Sequence, residues 1–162
     1  MPTFSTAGSK IFIGTAMSDD DGEVIAADFT AVTWTEIGRT TTLGTFGDTS
    51  NSIDSTYIDR ARVQKRKGAR NAGTIELAMD IDTTDAGQIA LLAAEKSTAN
   101  FAFKIEMNDK PVTGASPKPS QRLFYGLVMS AAEELGDADS MAKLNCQIAL
   151  NSNIVRVTAS AS

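Results

Sequence analysis

The chain has 162 residues and a formal net charge of −5, from 15 basic and 20 acidic side chains. This length fits one domain with a sizeable core, and the acidic balance argues against a general nucleic-acid-binding protein. The chain has no histidine, which removes the commonest general base and metal ligand. Its single cysteine, Cys146, excludes an intramolecular disulfide.

The sequence shows neither a transmembrane segment nor a signal-peptide pattern. No apolar run approaches the roughly 20 residues that a transmembrane helix needs, and the N-terminus lacks the basic start and apolar run of a signal peptide. We therefore expect one domain over residues 1–162 that folds in a cytoplasm. Flexible termini are predicted at 1–9 and 159–162.

The first third of the chain predicts short strands joined by polar turns. These strands are predicted over residues 10–16, 23–28, 31–37 and 53–59. Trp34, the one tryptophan, is predicted to pack in the core or at an interface. Residues 38–52 are rich in Gly, Thr and Ser without helical periodicity, which predicts a long early loop.

A strongly basic stretch follows. Six of the 15 basic residues lie between positions 60 and 70, with no acid among them. Gly68, Gly73 just beyond it and the lack of an apolar face predict an exposed hairpin tip or mobile loop. The alternative interpretation is an ordinary solvated charge run.

The stretch from Gly73 to Lys96 has the clearest pattern. Apolar residues alternate with polar ones over 74–82, which predicts a strand with one buried and one wet face. Glu76, Asp80 and Asp82 fall on the wet face. Asp85 is predicted to cap a helix over about 85–96, with Gln88 as its capping-box partner.

The remaining chain predicts more strands and one proline-rich loop. The strands are predicted over 101–107, 122–130, 143–150 and 154–158, and the loop over 109–120. Cys146 falls on a buried face, as an inert apolar residue. The sum is a mainly β fold: a β-sandwich or barrel of about eight or nine mostly antiparallel strands with one flanking helix.

Catalytic chemistry finds little support in these residues. The chain has no histidine, and its single cysteine is predicted to be buried. No nucleophile therefore has a base beside it. Asp80 and Asp82 could suit acid–base work, but no second motif completes a site around them. We expect neither an enzyme nor a cofactor or metal site.

The order of several motifs resembles the tail tube (major tail) proteins of long-tailed bacteriophages and the related tubes of gene transfer agents. The motifs that carry the resemblance lie at 34–38, 43–47, 53–56, 73–77, 82–92 and 124–128. The resemblance spans about residues 11 to 158. It implies a β-sandwich-like subunit with one flanking helix, six copies of which form rings that stack into a hollow tube.

The resemblance also implies partners and a location. Tape-measure, tail-terminator and baseplate proteins would bind the tube, and DNA would pass through it without specific binding. The subunit would be part of a virion tail assembled in the bacterial host cytoplasm. The segment 44–70 would reach a neighbouring subunit or ring.

Charge refines that implication. Residues 60–70 carry +6, which leaves −11 on the rest of a chain whose net charge is −5. We hypothesise that the basic side chains contact carboxylates of a neighbouring subunit. The basic residues are Arg60, Arg62, Lys65, Arg66, Lys67 and Arg70. The candidate acidic residues are Asp19, Asp20, Asp21, Glu133, Glu134, Asp137 and Asp139. The lumen-facing candidates are Glu76, Asp80 and Asp82, since a lumen that lets DNA slide should repel phosphate.

Two alternatives remain open. The basic stretch could serve a nucleic-acid-binding module, although no aromatic residues alternate with its basic ones as single-strand binding favours. The chain could also be the tube subunit of a contractile injection system, which would share the same fold.

Overall fold

The computed structural model of the protein describes residues 3–18 and 23–161. Within these residues the chain forms ten β-strands, one α-helix and one short 3₁₀ helix. The strands are β1 (Lys10–Met17), β2 (Thr35–Ile37), β3 (Thr40–Thr42), β4 (Thr49–Ser55), β5 (Gln64–Asn71), β6 (Thr74–Asp80), β7 (Asn100–Glu106), β8 (Gln121–Glu134), β9 (Lys143–Leu150) and β10 (Val155–Val157). Helix α1 is Ala86–Lys96, and the 3₁₀ helix is Ala26–Phe29. The predicted mainly β, antiparallel fold with one helix is confirmed.

Eight strands form one curled sheet. Its order is β2-β1-β7-β8-β9-β6-β3, with β10 paired to β8 beside β9, and every pairing is antiparallel. The two edge strands, β2 and β3, are separated in sequence only by Gly38 and Arg39. The sheet therefore curls until its edges meet at this corner, although no ladder between β2 and β3 closes it into a barrel.

The main core lies inside the curl. Ile75, Leu77 and Met79 of β6 point into it and are almost fully buried. Every second residue of β9 from Leu144 to Leu150 does the same, Cys146 included. Leu91 and Ala94 of α1 cover this core. The period of two in the sequence therefore identified the buried faces of β6 and β9 correctly.

Helix α1 is attached to the sheet corner by two side chains. Asp85 caps the helix by accepting from the Gln88 backbone N–H, as predicted. The Gln88 side chain, however, does not return to the cap. It is buried, accepts from the Asp82 N–H and donates to the carbonyls of Gly38 and Asp80. The second half of the predicted capping box is therefore wrong, because these buried backbone groups need the amide.

A second, smaller cluster lies on the opposite face of the sheet. It consists of Val24, Phe29, Ala102, Leu123 and Tyr125. Trp34 packs against it and stacks on the Phe29 ring at 6.3 Å between centroids. This cluster is covered by a segment that turns through the 3₁₀ helix. The strand predicted over 23–28 is therefore wrong, and of the strand predicted over 31–37 only Thr35–Ile37 is a strand, β2.

A β-bulge partway along β8 shifts which of its residues point into the core. The register with β9 shifts between Val128 and Ser130, so Met129 is the extra residue of a β-bulge and is exposed. Before the bulge Val128 faces the main core, and after it Ala131 does. Regular alternation would have turned Ser130 inward. The bulge instead leaves Ser130 on the outer face, opposite Gln147.

The proline-rich loop holds the C-terminal residues. Lys118 and Ser160 exchange two backbone hydrogen bonds, and the Ser120 hydroxyl accepts from the Ala159 N–H. Asp109 in turn accepts from the N–H and hydroxyl of Ser120. The flexibility predicted for 159–162 stays a prediction, but these contacts tie the described part of that segment to the loop.

Candidate assembly surfaces

Strands β4 and β5 form a hairpin that stands apart from the main sheet. They pair only with each other, and no residue of either strand belongs to the two buried clusters of the described chain. Nearly every side chain of both strands is exposed. The predicted long loop over 38–52 and the predicted strand over 53–59 are therefore corrected: β3 and the start of β4 occupy the first segment, and the turn occupies the end of the second.

The hairpin carries all six predicted basic residues. Arg60 and Arg62 lie in the connection between the strands, which we call the hairpin tip (residues 56–63). Lys65, Arg66, Lys67 and Arg70 lie on β5, which is a strand and not the mobile loop that was one of the predicted forms. Lys65 lies opposite Asp54 and Lys67 opposite Ser52. Both lysines thus point from one face of the hairpin, with Arg66 on the other.

Only part of this charge is neutralised within the chain. Arg70 bonds Asp48 at 2.8 Å across the hairpin base, and Arg60 lies 4.0 Å from its neighbour Asp59. The remaining four basic side chains have no carboxylate within 4.0 Å among the described residues. They are Arg62, Lys65, Arg66 and Lys67. The hairpin therefore presents unpaired positive charge to solvent.

Apolar side chains accompany the charge at the tip. Ile58 is fully exposed, and Tyr57 and Val63 are 42% and 45% exposed. Ile53 lies on β4 opposite Arg66 and is exposed as well. Sequence reasoning singled out the basic residues here and missed this apolar component, although it is visible in the sequence between the charges.

The candidate acidic residues are partly brought together. Glu133 and Glu134 end β8, and Asp137 and Asp139 lie in the connection to β9. We call residues 133–141 the acidic loop. All four carboxylates are exposed and none forms an ion pair with a described residue. Leu135 and Met141 in the same loop are 65% and 68% exposed. The other candidates, Asp19, Asp20 and Asp21, lie outside the described residues.

The lumen-facing candidates are divided by the end of β6. Glu76 and Asp80 share its outer face, where Glu76 accepts from the Gln147 amide at 3.4 Å. Asp82, predicted on the same strand, lies beyond the end of β6, which is a correction. Its carboxylate accepts from the Thr84 hydroxyl and N–H and lies 3.7 Å from Arg39. These Thr84 bonds, more than Arg39, lower the pKa of Asp82.

The side chains that surround Glu76 on the outer face are uncharged. A shallow depression there is lined by Thr42, Glu76, Ala78, Ser130, Ala132, Asn145 and Gln147, together with the buried residues Leu77 and Cys146. Cys146 points away from this face into the core, where burial and, to a smaller extent, Glu95 raise its pKa to about 11. The thiol is therefore neutral and enclosed, as its alternation predicted.

The described residues lack features of two other kinds of site. No group of three or more His, Cys, Asp or Glu side chains there is arranged to hold a metal ion. No helix in the described residues is long and apolar enough to span a bilayer.

The fold has clear relatives among solved structures. A chain in the cryo-EM structure of the anti-feeding prophage baseplate matches with a TM-score of 0.65 at 10% identity, over 98% of both chains. A chain in the sheath/tube terminator of PVC, an extracellular contractile injection system, in its extended state matches at 0.68 with 8% identity, over 98% of this chain and 99% of that one. The SPP1 tail tube matches at 0.58 with 12% identity, over 93% and 76%.

No protein-family model and no curated protein sequence matches the chain. The solved structures therefore carry the comparison, and at these identities they show the fold. The fold is tail-tube-like, of the kind found in phage tails and contractile injection systems, as the resemblance in the sequence predicted.

Proposed function

We propose that the protein is a structural subunit that forms six-membered rings, which stack into the hollow tail tube of a phage-like particle. One observation carries the proposal: a tail-tube-like fold bears a two-stranded hairpin that pairs with no other strand of the described residues. The tube would be the conduit for DNA delivery. The subunit would act in a virion tail, after assembly in the host cytoplasm.

An isolated two-stranded sheet is marginally stable in water, because it buries little apolar surface on either face. Its outer edges also leave backbone N–H and C=O groups without strand partners. A neighbouring subunit would supply both the missing contact area and the missing partners. The hairpin is thus better explained as an assembly arm than as part of a monomer.

Charge supports the same assignment. We propose that the six basic hairpin residues contact carboxylates of a neighbour, chiefly Glu133, Glu134, Asp137 and Asp139. Such pairs act more on encounter rate and register than on affinity. Arg70 already has an intramolecular partner in Asp48, so Arg62, Lys65, Arg66 and Lys67 are the main candidates.

The outer face of β6 and β9 is our candidate for the lumen wall. Glu76 and Asp80 would give it negative charge, partly offset by Lys143 opposite Asp80, and the side chains around Glu76 are uncharged. Such a wall repels phosphate, so DNA would slide along it without specific binding. Asp82, held by Thr84 beyond the strand end, would contribute at the rim.

Electron microscopy of negatively stained protein tests the proposal. The full chain would be concentrated at low and at high salt, with size measured in parallel by light scattering. We expect rings or hollow tubes, favoured at low salt because exposed ion pairs are screened as salt rises. Monomers alone, at every concentration and salt level and in the presence of the proposed tape-measure and tail-terminator partners, would contradict it.

A tube in a contractile injection system is the second candidate. Two of the three solved structures named above come from the anti-feeding prophage and an extracellular contractile injection system. A gene for a contractile sheath protein beside this one would favour that candidate, and its absence would favour a long-tailed particle. A nucleic-acid-binding module is the remaining alternative, which steeply salt-dependent affinity for DNA in a protein that never assembles would favour.

A further inference from the structure

Two arginines lie directly opposite each other where β8 begins. Strand β10 pairs antiparallel with β8, and the register sets Arg156 opposite Arg122. The neighbouring pair, Val155 and Leu123, packs in the second cluster on the outer face of the sheet. Because side chains alternate between faces along a strand, burial of that pair turns both arginines to the other face. The fold therefore holds two guanidinium groups side by side at the edge of the main core.

The two arginines have no partner of opposite charge within the described part of the chain. Neither has a carboxylate within 4.0 Å there. Asp109 attracts Arg122 from farther away, but its oxygens already accept from the N–H and hydroxyl of Ser120. Arg122 donates one hydrogen bond, to the Gln121 carbonyl at 3.0 Å. Like charges directly opposite each other destabilise an antiparallel pair, so this arrangement costs stability unless an anion balances it.

The surroundings of the pair do not balance its charge. Arg122 is partly buried, and burial and, to a smaller extent, Arg156 lower its pKa, while Asp109 opposes them only in part. The bridge between Lys118 and Ser160 continues the register of β8 and β10, four residues from each arginine. Residues four apart on an extended strand share a face. Lys118 therefore adds positive charge on the side of the pair.

We propose that Arg122 and Arg156 form a binding site for a free phosphate dianion, which accepts hydrogen bonds from both guanidinium groups and so joins β8 to β10. Each guanidinium presents its N–H groups as a planar fork that matches phosphate oxygens. Two negative charges balance the pair, whereas a carboxylate or a phosphodiester carries one and leaves an arginine unbalanced. The site is complete within one chain, so it goes beyond the proposed function and does not depend on it.

Thermal unfolding in phosphate and in chloride of equal ionic strength tests the site, with Arg156→Gln as the test variant. In chloride the variant should unfold at a higher temperature than the wild type, since the repulsion is gone. Phosphate should raise the unfolding temperature of the wild type more than that of the variant, because only the wild type binds it specifically. Arg62→Gln removes an exposed, unpaired arginine of the hairpin tip and is the matched control, which should respond to phosphate as the wild type does.

A titration of inorganic phosphate followed by phosphorus NMR measures the binding directly. We expect about tenfold weaker binding by Arg156→Gln, as for loss of one charged hydrogen-bonding group. Wild-type binding should be tighter at about pH 8 than at about pH 5.5, because phosphate gains its second negative charge between these values while both arginines stay charged.

The opposite results would overturn the site. Equal effects of phosphate on the wild type and on Arg156→Gln would show an adventitious ion only. Acetate or a short oligonucleotide that displaces phosphate at equal concentration of charge would overturn the assignment to a dianion. If Arg156→Gln does not fold, Arg156→Lys keeps the charge without the planar fork and should bind phosphate more weakly than the wild type. Equal binding by that variant would also overturn the site.

Discussion

Asp85 joins helix α1 to the corner of the sheet, because its carboxylate accepts a hydrogen bond from the Gly38 N–H at 3.1 Å. The same oxygen accepts from the Gln88 N–H at 2.9 Å in the first turn of the helix. One side chain therefore caps the helix and holds the point where the edges of the sheet meet.

Substitution of Asp85 should show both roles. We expect Asp85→Ala to lower the free energy of unfolding by about 2 kcal/mol, since loss of an N-cap alone costs ~1 kcal/mol and Gly38 also loses its acceptor. Urea unfolding followed by circular dichroism measures this. Thr83→Ala, at a nearby exposed residue, should change little. Equal stability of the two variants would contradict the double role.

Substitution of Gln88 should lower the free energy of unfolding more than substitution of an exposed residue of α1. Gln88→Leu conserves much of the volume but leaves the Asp82 N–H and the Gly38 and Asp80 carbonyls without this partner. We expect a loss of about 2–4 kcal/mol, because each unsatisfied buried group costs ~1–3 kcal/mol and relaxation recovers part. Ile89→Gln, on the exposed side of α1, is the matched control. A near-neutral Gln88→Leu would show that water replaces the amide.

Charge reversal on the hairpin should block assembly without unfolding the monomer. Arg66→Glu with Lys67→Glu changes two exposed residues that form no ion pair with the described chain. We expect monomers where the wild type forms rings or tubes, and an unchanged unfolding midpoint. Lys110→Glu with Lys118→Glu makes the same change in charge on the proline-rich loop and should leave assembly intact. Normal tubes from the hairpin variant would refute the electrostatic contact.

Cys146 should react only when the sheet opens. Burial raises its pKa to about 11, so near pH 8 almost no thiolate forms and the thiol is enclosed. We expect slow labelling by a thiol reagent in the native protein and labelling at the rate of a free thiol in denaturant. The exposed thiol of Leu135→Cys provides the fast reference. Rapid labelling of the native wild type would show that β9 opens locally.

Asp109 should contribute to acid unfolding. Burial opposes its ionisation, but hydrogen bonds from Ser120 outweigh this effect, and its pKa lies below the ordinary value of 3.8. Ionised Asp109 therefore stabilises the folded state above about pH 3.8, and this stabilisation is lost as the pH falls through the folded-state pKa of Asp109. We expect Asp109→Asn to flatten this acid part of the stability profile. A slope equal to that of the wild type would assign the acid sensitivity to other carboxylates.

Sequence patterns predicted the elements whose apolar residues face one core. The alternation of apolar residues was sufficient to predict β6, β7 and β9, and the cap at Asp85 was sufficient to predict the start of α1. The hairpin was predicted only in part, as a strand over 53–59 and a possible hairpin tip, because polar side chains on both faces leave no period of two. The bulge at Met129 adds one residue to β8, which simple alternation cannot anticipate. The basic residues of the candidate surface were found because charge is local in sequence. Their distance from the acidic loop depends on how β6 and β9 pair.

The placement of unlike surfaces, the hairpin and the acidic loop, at opposite ends of β6 and β9 has a consequence for how growth stops. If copies stack through contacts between these two surfaces, as proposed, the stack would end in free hairpins on one side and free acidic loops on the other. A capping protein for the first end needs an acidic and apolar surface, and a cap for the second needs a basic one. One kind of cap cannot close both ends. Each added subunit recreates the same terminal chemistry, so the affinity of either cap does not depend on the length of the stack.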